Sequence, residues 1–249
     1  MIPIKSASDL AAMRRAGSLL VRITDKLRGF IKAGISTLEI DRIAEELILK
    51  EGARPAFKGY LGFPASVCAC LNEEVVHGIP SERQVKEGDI LKLDIGINLN
   101  GYFSDYAFTL AIGNIEGRVK KLLEATKRAL DLGVAQAFPE RHLSDISWAI
   151  QSYIEAQGFS VVRDFVGHGI GLKMHEPPEI PNFGRPRKGA ILKEGMCLAI
   201  EPMVNMGGWE VKISDNGWTA LTKDRLQSAH FEHTVAVTKD GPEILTKSN

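Results

Sequence analysis

Residues 86–105 read KEGDILKLDIGINLNGYFSD, and the pattern of this segment predicts a β-hairpin. Asn100-Gly101, near its end, is the strongest short signal for a two-residue β-hairpin turn. Side chains alternate between the faces of a strand, so Asp94 and Gly96 share one face. Pairing outward from the turn makes Asp94 and Asp105 diagonal neighbours, with Cβ atoms about 7 Å apart. The predicted register sets Leu99 opposite Tyr102, Ile97 opposite Ser104 and Gly96 opposite Asp105.

The two neighbouring carboxylates indicate a cation. Two like charges beside an apolar strand are costly, because buried carboxylates need partners. A divalent metal ion would offset both charges, and we expect Gly96 to leave open space beside them. A pair of solvated aspartates is the alternative interpretation if this hairpin is considered alone.

The sequence also repeats part of itself. Residues 193–201 read KEGMCLAIE and resemble KEGDILKLD of residues 86–94, which lie 107 positions earlier. In both segments the apolar run ends in a carboxylate, and no Pro/Gly/Ser-rich linker separates the two. We therefore predict one catalytic domain over 1–249, built from two pseudo-symmetric αβ halves, about 1–115 and 116–249, that share one sheet.

Helical periodicity recurs in each half. Ser6 with Asp9, and Ser36 with Glu39, have the spacing of helix N-terminal caps. Strand-like runs follow each helical pair. Apolar residues three or four apart predict helices over about 9–31, 37–51, 117–137 and 144–157.

The second half contributes two more carboxylates and a histidine. Glu201 ends one apolar strand, and Glu232 begins another. Asp215-Asn216-Gly217 between them signals a turn, so a second, longer hairpin should mirror the first. His168 lies in GHGIG of residues 167–171, where glycines let the backbone approach a site closely. Four carboxylates and one imidazole form an oxygen-rich site that suits two ions about 3.5 to 4 Å apart.

With these residues in this order, the chain resembles the type I methionine aminopeptidases over nearly its whole length. The fold that this implies is the α+β pita-bread fold, a pseudo-two-fold repeat of αβ halves around a curved, mainly antiparallel sheet with helices on its outer face. The matching motifs are SVC at 66–68, NE at 72–73, HGIP at 77–80, DIG at 94–96, Asp105, GHGIG at 167–171, HEP at 175–177, EPM at 201–203, GWT at 217–219 and EHT at 232–234.

The resemblance implies a set of five metal ligands. Asp94 would hold one ion, and His168 and Glu201 would hold the other. Asp105 and Glu232 would bridge the two. The cofactors would be two divalent ions per chain, and Co, Mn, Fe and Zn all accept such ligands.

The resemblance also implies catalytic and substrate-binding residues. His77 and His175 would contact the scissile peptide without binding metal, and Glu201 would move a proton during hydrolysis. Taken singly, each position of the implied methionine pocket is better interpreted as a core side chain, since aromatic residues and methionine fill cores routinely. These pocket positions are Tyr60, Phe63, Cys68, Met203 and Trp218.

Two positions depart from the family pattern. His230 replaces an expected glutamine, and Met174 stands where an aromatic residue is common. By strand parity His230 faces the same side as Glu232. His233 points to the other side and His142 lies near a helix start, so we interpret both as structural.

The implied activity is that of a methionyl aminopeptidase, a metal-dependent hydrolase that removes the N-terminal (initiator) methionine before a small second residue. A Xaa-Pro aminopeptidase uses the same fold and ligands, but such relatives carry a large extra N-terminal domain. A metal-free binding module of this fold is the other alternative, and the intact ligand set argues against it. A serine or cysteine hydrolase fits poorly, since GxSxG is absent and neither Cys68 nor Cys70 has an evident base partner.

Composition and charge limit the cellular compartment and the binding partners that we expect for this protein. The 31 basic and 31 acidic residues cancel, so neither nucleic acid nor a membrane is the expected partner. The chain lacks a signal-peptide core, an apolar run of about 20 residues and a disulfide framework, which predicts a cytoplasmic protein. We expect a monomer that acts on the N-terminal methionine of peptides and nascent chains. For a transient ribosome contact, Lys212, Lys223 and Arg225 are candidates, with a solvated hairpin as the alternative interpretation.

Overall fold

The computed structural model describes residues 1–247, and no helix among them has the length and apolar character needed to cross a membrane. The helices are α1 (Ala7–Arg28), α2 (Thr37–Lys50), α3 (Gly117–Val134), α4 (Leu143–Ala156) and a short 3₁₀ helix, Tyr60–Gly62. The strands are β1 (Arg54–Pro55), β2 (Cys68–Leu71), β3 (Ile90–Leu99), β4 (Tyr102–Ala111), β5 (Ser160–Val161), β6 (Val166–Gly169), β7 (Glu176–Pro181), β8 (Cys197–Ile200), β9 (Met203–Asn205), β10 (Val211–Ile213), β11 (Ala220–Thr222), β12 (Ser228–His230), β13 (His233–Thr238) and β14 (Gly241–Ile244).

The hairpin predicted from Asn100-Gly101 is confirmed as β3 and β4. Both turn residues have positive φ, 53° and 90°, which a two-residue turn between twisted antiparallel strands requires. The strands pair over ten residues each, in the register that the sequence predicts. The observed partners include Leu99 with Tyr102, Ile97 with Ser104 and Gly96 with Asp105.

The four predicted helices are confirmed, although two of them end three residues early. The hydroxyl of Ser6 and the carboxylate of Asp9 form a reciprocal capping box at the start of α1. Helix α1 ends before Ile31 and α3 before Ala137, yet both residues still pack on the core. The apolar periodicity therefore continues beyond the last helical turn, which is why the sequence predicted longer helices.

The second hairpin forms as predicted, but its arms are interrupted. Strand β8 pairs with β13 and β9 pairs with β12, while β10 and β11 form the tip. Glu201 lies in the break between β8 and β9, and Glu232 lies in the break between β12 and β13. The backbone N–H of Phe231 donates to Pro202 O across these breaks. Both carboxylates therefore come from irregular backbone that two paired segments hold in place.

Each helix pair packs on strands of its own half. Helices α1 and α2 bury one apolar cluster against β2 and β3, and α3 and α4 bury another against β8, β9 and β13. Every pairing between these strands is antiparallel, and the largest sheet has the order β14-β13-β8-β6-β7. The predicted α+β class with mainly antiparallel sheets is thus confirmed. The expectation that the halves share one sheet is wrong for residues 1–247, because β1–β4 form a sheet of their own and isolated hydrogen bonds, such as Glu232 N–H to Ala107 O, join it to the second half. The division into halves near residue 115 stays a prediction.

The repeated segments KEGDILKLD and KEGMCLAIE have the same backbone turn. Gly88 and Gly195 occupy equivalent positions and have φ values of 88° and 85°. Residues other than glycine rarely adopt this left-handed backbone conformation. The same glycine turn therefore leads into β3, which carries Asp94 near its middle, and into β8, which Glu201 directly follows.

A buried lysine joins the two halves. Lys92 on β3 is 1% exposed, and its Nζ donates to the carbonyl oxygens of Asn72 at 2.7 Å and Ser228 at 3.0 Å. The backbone N–H of Ser228 also donates to Asn72 O. Burial lowers the pKa of the Lys92 ammonium to about 8. One side chain thus connects a first-half strand and loop to β12 of the second half.

Candidate metal centre and substrate pocket

One cavity of about 290 Å³ is lined by all the site residues that the sequence predicts. Its lining combines carboxylates, imidazoles and apolar or aromatic side chains. The predicted residues that line it are Tyr60, Phe63, Cys68, His77, Asp94, Asp105, His168, His175, Glu201, Met203, Trp218 and Glu232.

Asp94 and Asp105 lie side by side, as the hairpin register predicts. Asp105 lies opposite Gly96, two residues along β3 from Asp94 on the same face of the hairpin. Burial raises the pKa of Asp105 to about 7, and burial together with the charge of Asp105 raises the pKa of Asp94. Backbone contacts fix Asp105, since Thr234 Oγ1 accepts from its N–H at 3.0 Å. The pair is thus held together despite its mutual repulsion.

His168 presents one ring nitrogen to the carboxylates. Its Nδ1 donates to Gly169 O at 2.9 Å, which leaves Nε2 with a free lone pair. Nε2 lies 3.8 Å from Asp105 Oδ2 and 3.7 Å from Glu201 Oε1. Burial lowers the pKa of His168 to about 3, so the ring is neutral, as a metal ligand must be. Strand β6 carries this residue, and its pairing with β7 shifts register between His168 and Gly169.

The two glutamates complete the acidic group. Burial, followed by the charge of Asp105, raises the pKa of both Glu201 and Glu232. The backbone N–H of Glu232 donates to Ala107 O on β4 at 2.9 Å, which ties the break in the second hairpin to the first hairpin. Four carboxyl groups from both halves therefore share one water-poor region.

These residues fit divalent metal ions. Ligand atoms of Asp105, His168 and Glu232 lie within 4.8 Å of one another. Asp94 Oδ1 and Glu232 Oε1 are buried without a hydrogen-bond partner among residues 1–247, which is costly for a carboxyl oxygen. Carboxylate oxygens with one neutral imidazole are a donor set that first-row divalent ions accept. A bound cation would give the unpartnered oxygens a partner and offset the repulsion.

His230 faces this acidic group, as strand parity predicts. Its ring is 1% exposed, and Nε2 lies 3.3 Å from Glu201 Oε2. Burial lowers the pKa of His230 to about 3. His233 lies on the other side, where its Nδ1 contacts Thr246 Oγ1, and His142 precedes α4 as its N-cap.

His77 and His175 line the cavity beside the ligands. His175 Nδ1 lies 2.8 Å from Tyr60 Oη, and its ring meets the ring of His168 edge-on, 4.2 Å between centroids. His77 has φ of 58°, which is rare for a residue with a side chain, and its ring packs edge-on against Phe165. Desolvation lowers the pKa of both histidines, so both are neutral near pH 7.

Apolar and aromatic side chains form the rest of the cavity. The rings of Phe63 and Trp218 meet edge-on at 5.2 Å. Met174, one of the departures from the family pattern, is 1% exposed within the cluster that includes Phe63 and Cys68. Burial raises the pKa of the Cys68 thiol well above its usual value, so this residue forms part of the pocket wall and is not a nucleophile.

The expectation of open space beside Gly96 is wrong. A Cβ atom at this position would overlap the ring of Phe57 and the side chain of Ala56. The missing side chain therefore lets an aromatic ring approach β3 next to Asp94. Gly96 shapes the pocket wall and does not make a void.

Six residues that line the cavity were not predicted from the sequence. Phe57 precedes Tyr60 by three residues, and Phe165 precedes His168 by three residues. Their closeness in sequence to predicted site residues could have indicated that both line the cavity. Leu61 is 81% exposed and has φ of 49°, and nothing in the sequence marks it. The missed residues are Phe57, Leu61, Val76, Asp164, Phe165 and Val166.

Comparisons with known proteins agree with this site. Residues 11–239 match the model of metallopeptidase family M24. The chain is 52% identical over 246 residues to "Methionine aminopeptidase" of Clostridium perfringens, covering 99% of this chain and 99% of that protein. The crystal structure of methionine aminopeptidase from Rickettsia prowazekii has a TM-score of 0.98 at 40% identity and covers 99% of this chain and 100% of that one.

A more distant likeness defines the fold. The prolidase from Pyrococcus horikoshii OT3 has a TM-score of 0.81 at 23% identity. The match covers 99% of this chain but 64% of the prolidase, so the prolidase has additional chain outside the shared fold. The predicted pita-bread fold is confirmed by these neighbours, and the chain belongs to metallopeptidase family M24.

Proposed function

We propose that the chain is a dinuclear metal-dependent aminopeptidase that removes the N-terminal methionine of peptides and nascent proteins with a small second residue. The observation that carries the proposal is a single cavity in which five candidate ligands meet an apolar, aromatic wall. The ligands supply hydrolytic chemistry and the wall supplies a place for an apolar side chain. Relatives named methionine aminopeptidase match over 99% of the chain.

We assign Asp94 to one ion, His168 and Glu201 to the other, and Asp105 and Glu232 to both. The diagonal position of Asp94 and Asp105 on the hairpin, and the short distances from His168 Nε2 to Asp105 and Glu201, support this order. The identity of the ions, Co, Mn, Fe or Zn, depends on availability in the cell.

Bound metal would lower the pKa of a water towards neutrality and polarise the scissile carbonyl. Glu201 takes the proton from the attacking water and returns it to the leaving amide nitrogen. His175, fixed through Nδ1 by Tyr60, turns Nε2 towards the peptide and stabilises developing charge on the carbonyl oxygen. His77 orients the leaving amide. No covalent intermediate with the protein is needed.

Two alternatives are less consistent with the structure. A Xaa-Pro peptidase shares the fold, but the prolidase neighbour is 23% identical to the chain, whereas the Clostridium perfringens relative named methionine aminopeptidase is 52% identical over 99% of it. A metal-free binding module would have no need for buried carboxyl oxygens without partners, such as Asp94 Oδ1 and Glu232 Oε1. A peptide that begins with Ala-Pro tests the first alternative: a Xaa-Pro peptidase should cut it, and a methionine aminopeptidase should not.

Chelation tests the proposed function. Excess EDTA should abolish release of methionine from a Met-Gly peptide, and one of the divalent ions Co, Mn, Fe or Zn should restore it. A Met-Leu peptide should be cut much more slowly, and an N-acetylated Met-Gly peptide should not be cut, because the free amine is part of the recognised group. Full activity in excess EDTA would contradict the metal-dependent mechanism.

The second residue of the chain itself provides another test. Isoleucine follows Met1, and its branched side chain should prevent removal of that methionine when the sequence is expressed. An Ile2→Ala variant should lose Met1. Intact-mass measurement of both proteins decides the matter, and loss of Met1 from the unmodified sequence would refute the size rule.

We also propose that the protein works as a cytoplasmic monomer with transient access to the ribosome. Lys212 and Lys223 are exposed on and beside the β10–β11 hairpin. Arg225 instead pairs with Glu73 at 3.3 Å, which favours the interpretation of this hairpin as a solvated surface.

A further inference from the structure

A buried ion pair lies behind the loop that carries His175. Lys5 Nζ pairs with Glu176 Oε2, and each side chain is 6% exposed. By comparison, the Arg14–Glu243 pair on the surface has side chains that are 44% and 32% exposed. Removing one partner of a buried pair leaves an uncompensated charge, whereas exposed pairs contribute little. The position of Lys5 and Glu176 is therefore strongly constrained.

Glu176 also fixes the backbone of the preceding loop. Its Oε1 accepts hydrogen bonds from the N–H groups of Leu172 at 2.9 Å and Lys173 at 3.1 Å. The N–H of Gly171 donates to Lys173 O, and Gly171 O accepts from Phe103 N–H at 2.8 Å. One oxygen of the Glu176 carboxylate thus closes the loop between residues 171 and 176, while the other oxygen pairs with Lys5.

Lys5 is held from both sides. Its backbone N–H donates to Gly195 O at 2.7 Å in the turn before β8. Its side chain crosses Gly171, where a Cβ atom would overlap Lys5 Cε and Nζ as well as Glu176 Oε1. The lysine therefore reaches Glu176 through a gap that exists because residue 171 is glycine.

The loop ends at His175, next to Glu176. Glu176 pairs with Gly169 in the β6–β7 ladder, and Gly169 follows His168. The ring of His175 lies against the ring of His168. A shift of the loop would therefore move the His175 ring relative to a candidate metal ligand that β6 keeps in place.

We propose that the Lys5–Glu176 ion pair is the device that positions His175 for catalysis. Lys5 and Glu176 do not touch the substrate; they act through His175 by setting the loop between residues 171 and 176. The inference rests on the proposed function, because it assigns His175 to the reaction.

The experiment compares Lys5→Met, Glu176→Gln and the double variant with the unmodified protein, with Arg14→Met as the surface control. Each single variant should lower kcat for a Met-Gly peptide by about 10- to 100-fold, since a misplacement of 1 Å can cost this much. KM and bound metal should change little. The double variant should be less impaired than Lys5→Met alone, because neither charge is then left unpaired. Arg14→Met should not change kcat.

A second arm separates positioning from general stability. In a His175→Ala background, Lys5→Met should cause no further loss of kcat, because the residue through which it acts is gone. An equal loss in both backgrounds, loss of metal in Lys5→Met, or unchanged kcat in both single variants would overturn the inference. If Lys5→Met does not fold, Glu176→Gln and the double variant give the same comparison. An unmodified protein that releases no methionine with metal present would overturn the proposed function itself.

Discussion

Glu232→Ala and Asp105→Ala should purify almost free of metal, whereas His168→Ala should retain roughly one ion per chain. The reason is that a bridging carboxylate serves both ions and a terminal imidazole serves one. Asp105 lies beside Asp94 and 3.8 Å from His168 Nε2, between the two groups of ligands. Ligand atoms of Glu232 lie within 4.8 Å of those of Asp105 and His168, which places Glu232 beside the same group.

Activity should follow metal content. Loss of both ions should lower kcat/KM by more than about 10³-fold. Metal supplies several kcal/mol of transition-state stabilisation, and each loss of about 1.4 kcal/mol lowers the rate tenfold. Elemental analysis after exposure to a measured excess of metal gives the ion count. Glu179→Ala is the matched control, since this exposed carboxylate lies opposite His168 on β7 and should change nothing. Equal metal content in all three ligand variants would contradict the bridging assignment.

Replacing His77 or His175 with alanine should leave both ions bound and still slow turnover severely. Neither ring belongs to the ligand group, yet both line the cavity. Acid–base or charge-stabilising side chains typically contribute about 10²- to 10⁴-fold, so kcat should fall within that range. KM should change less, because the amine and the methionine side chain are held elsewhere. We assign the larger effect on transition-state charge to His175, whose Nδ1 is fixed by Tyr60.

His142→Ala is the control for these two variants, since this residue is the N-cap of α4 and does not line the cavity. Steady-state rates and metal content of the purified proteins decide between the possible roles. A variant that loses a metal ion identifies its histidine as a ligand. Near-normal kcat in both variants would show that the histidines are structural and that the mechanism is wrong.

Local signals predicted the first hairpin in full. The turn at Asn100-Gly101 fixes the register because both residues accept positive φ, and the register then places Asp94 next to Asp105. No information from distant residues was needed. The second hairpin was predicted only in outline, because the breaks that carry Glu201 and Glu232 depend on contacts with Pro202 and β4.

The pocket wall could not be predicted in the same way. Gly96 was interpreted as empty space because the sequence does not show that Phe57, about forty positions earlier, returns to cover it. Likewise, the ion pair of Lys5 with Glu176 joins residues 171 positions apart. Such contacts depend on how the whole chain packs, and they produce no periodic pattern in the sequence from which they could be predicted.

The contacts of Lys92 also bear on when the site comes into existence. Chains are made from the N-terminus onward, so Lys92 and Asn72 leave the ribosome long before Ser228 can meet them. Glu232 follows later still. A chain under construction therefore cannot assemble the cavity, however well its first half is folded. Until synthesis is nearly complete, a growing copy of this protein cannot hydrolyse a peptide, so methionine removal from any other chain depends on molecules that are already finished.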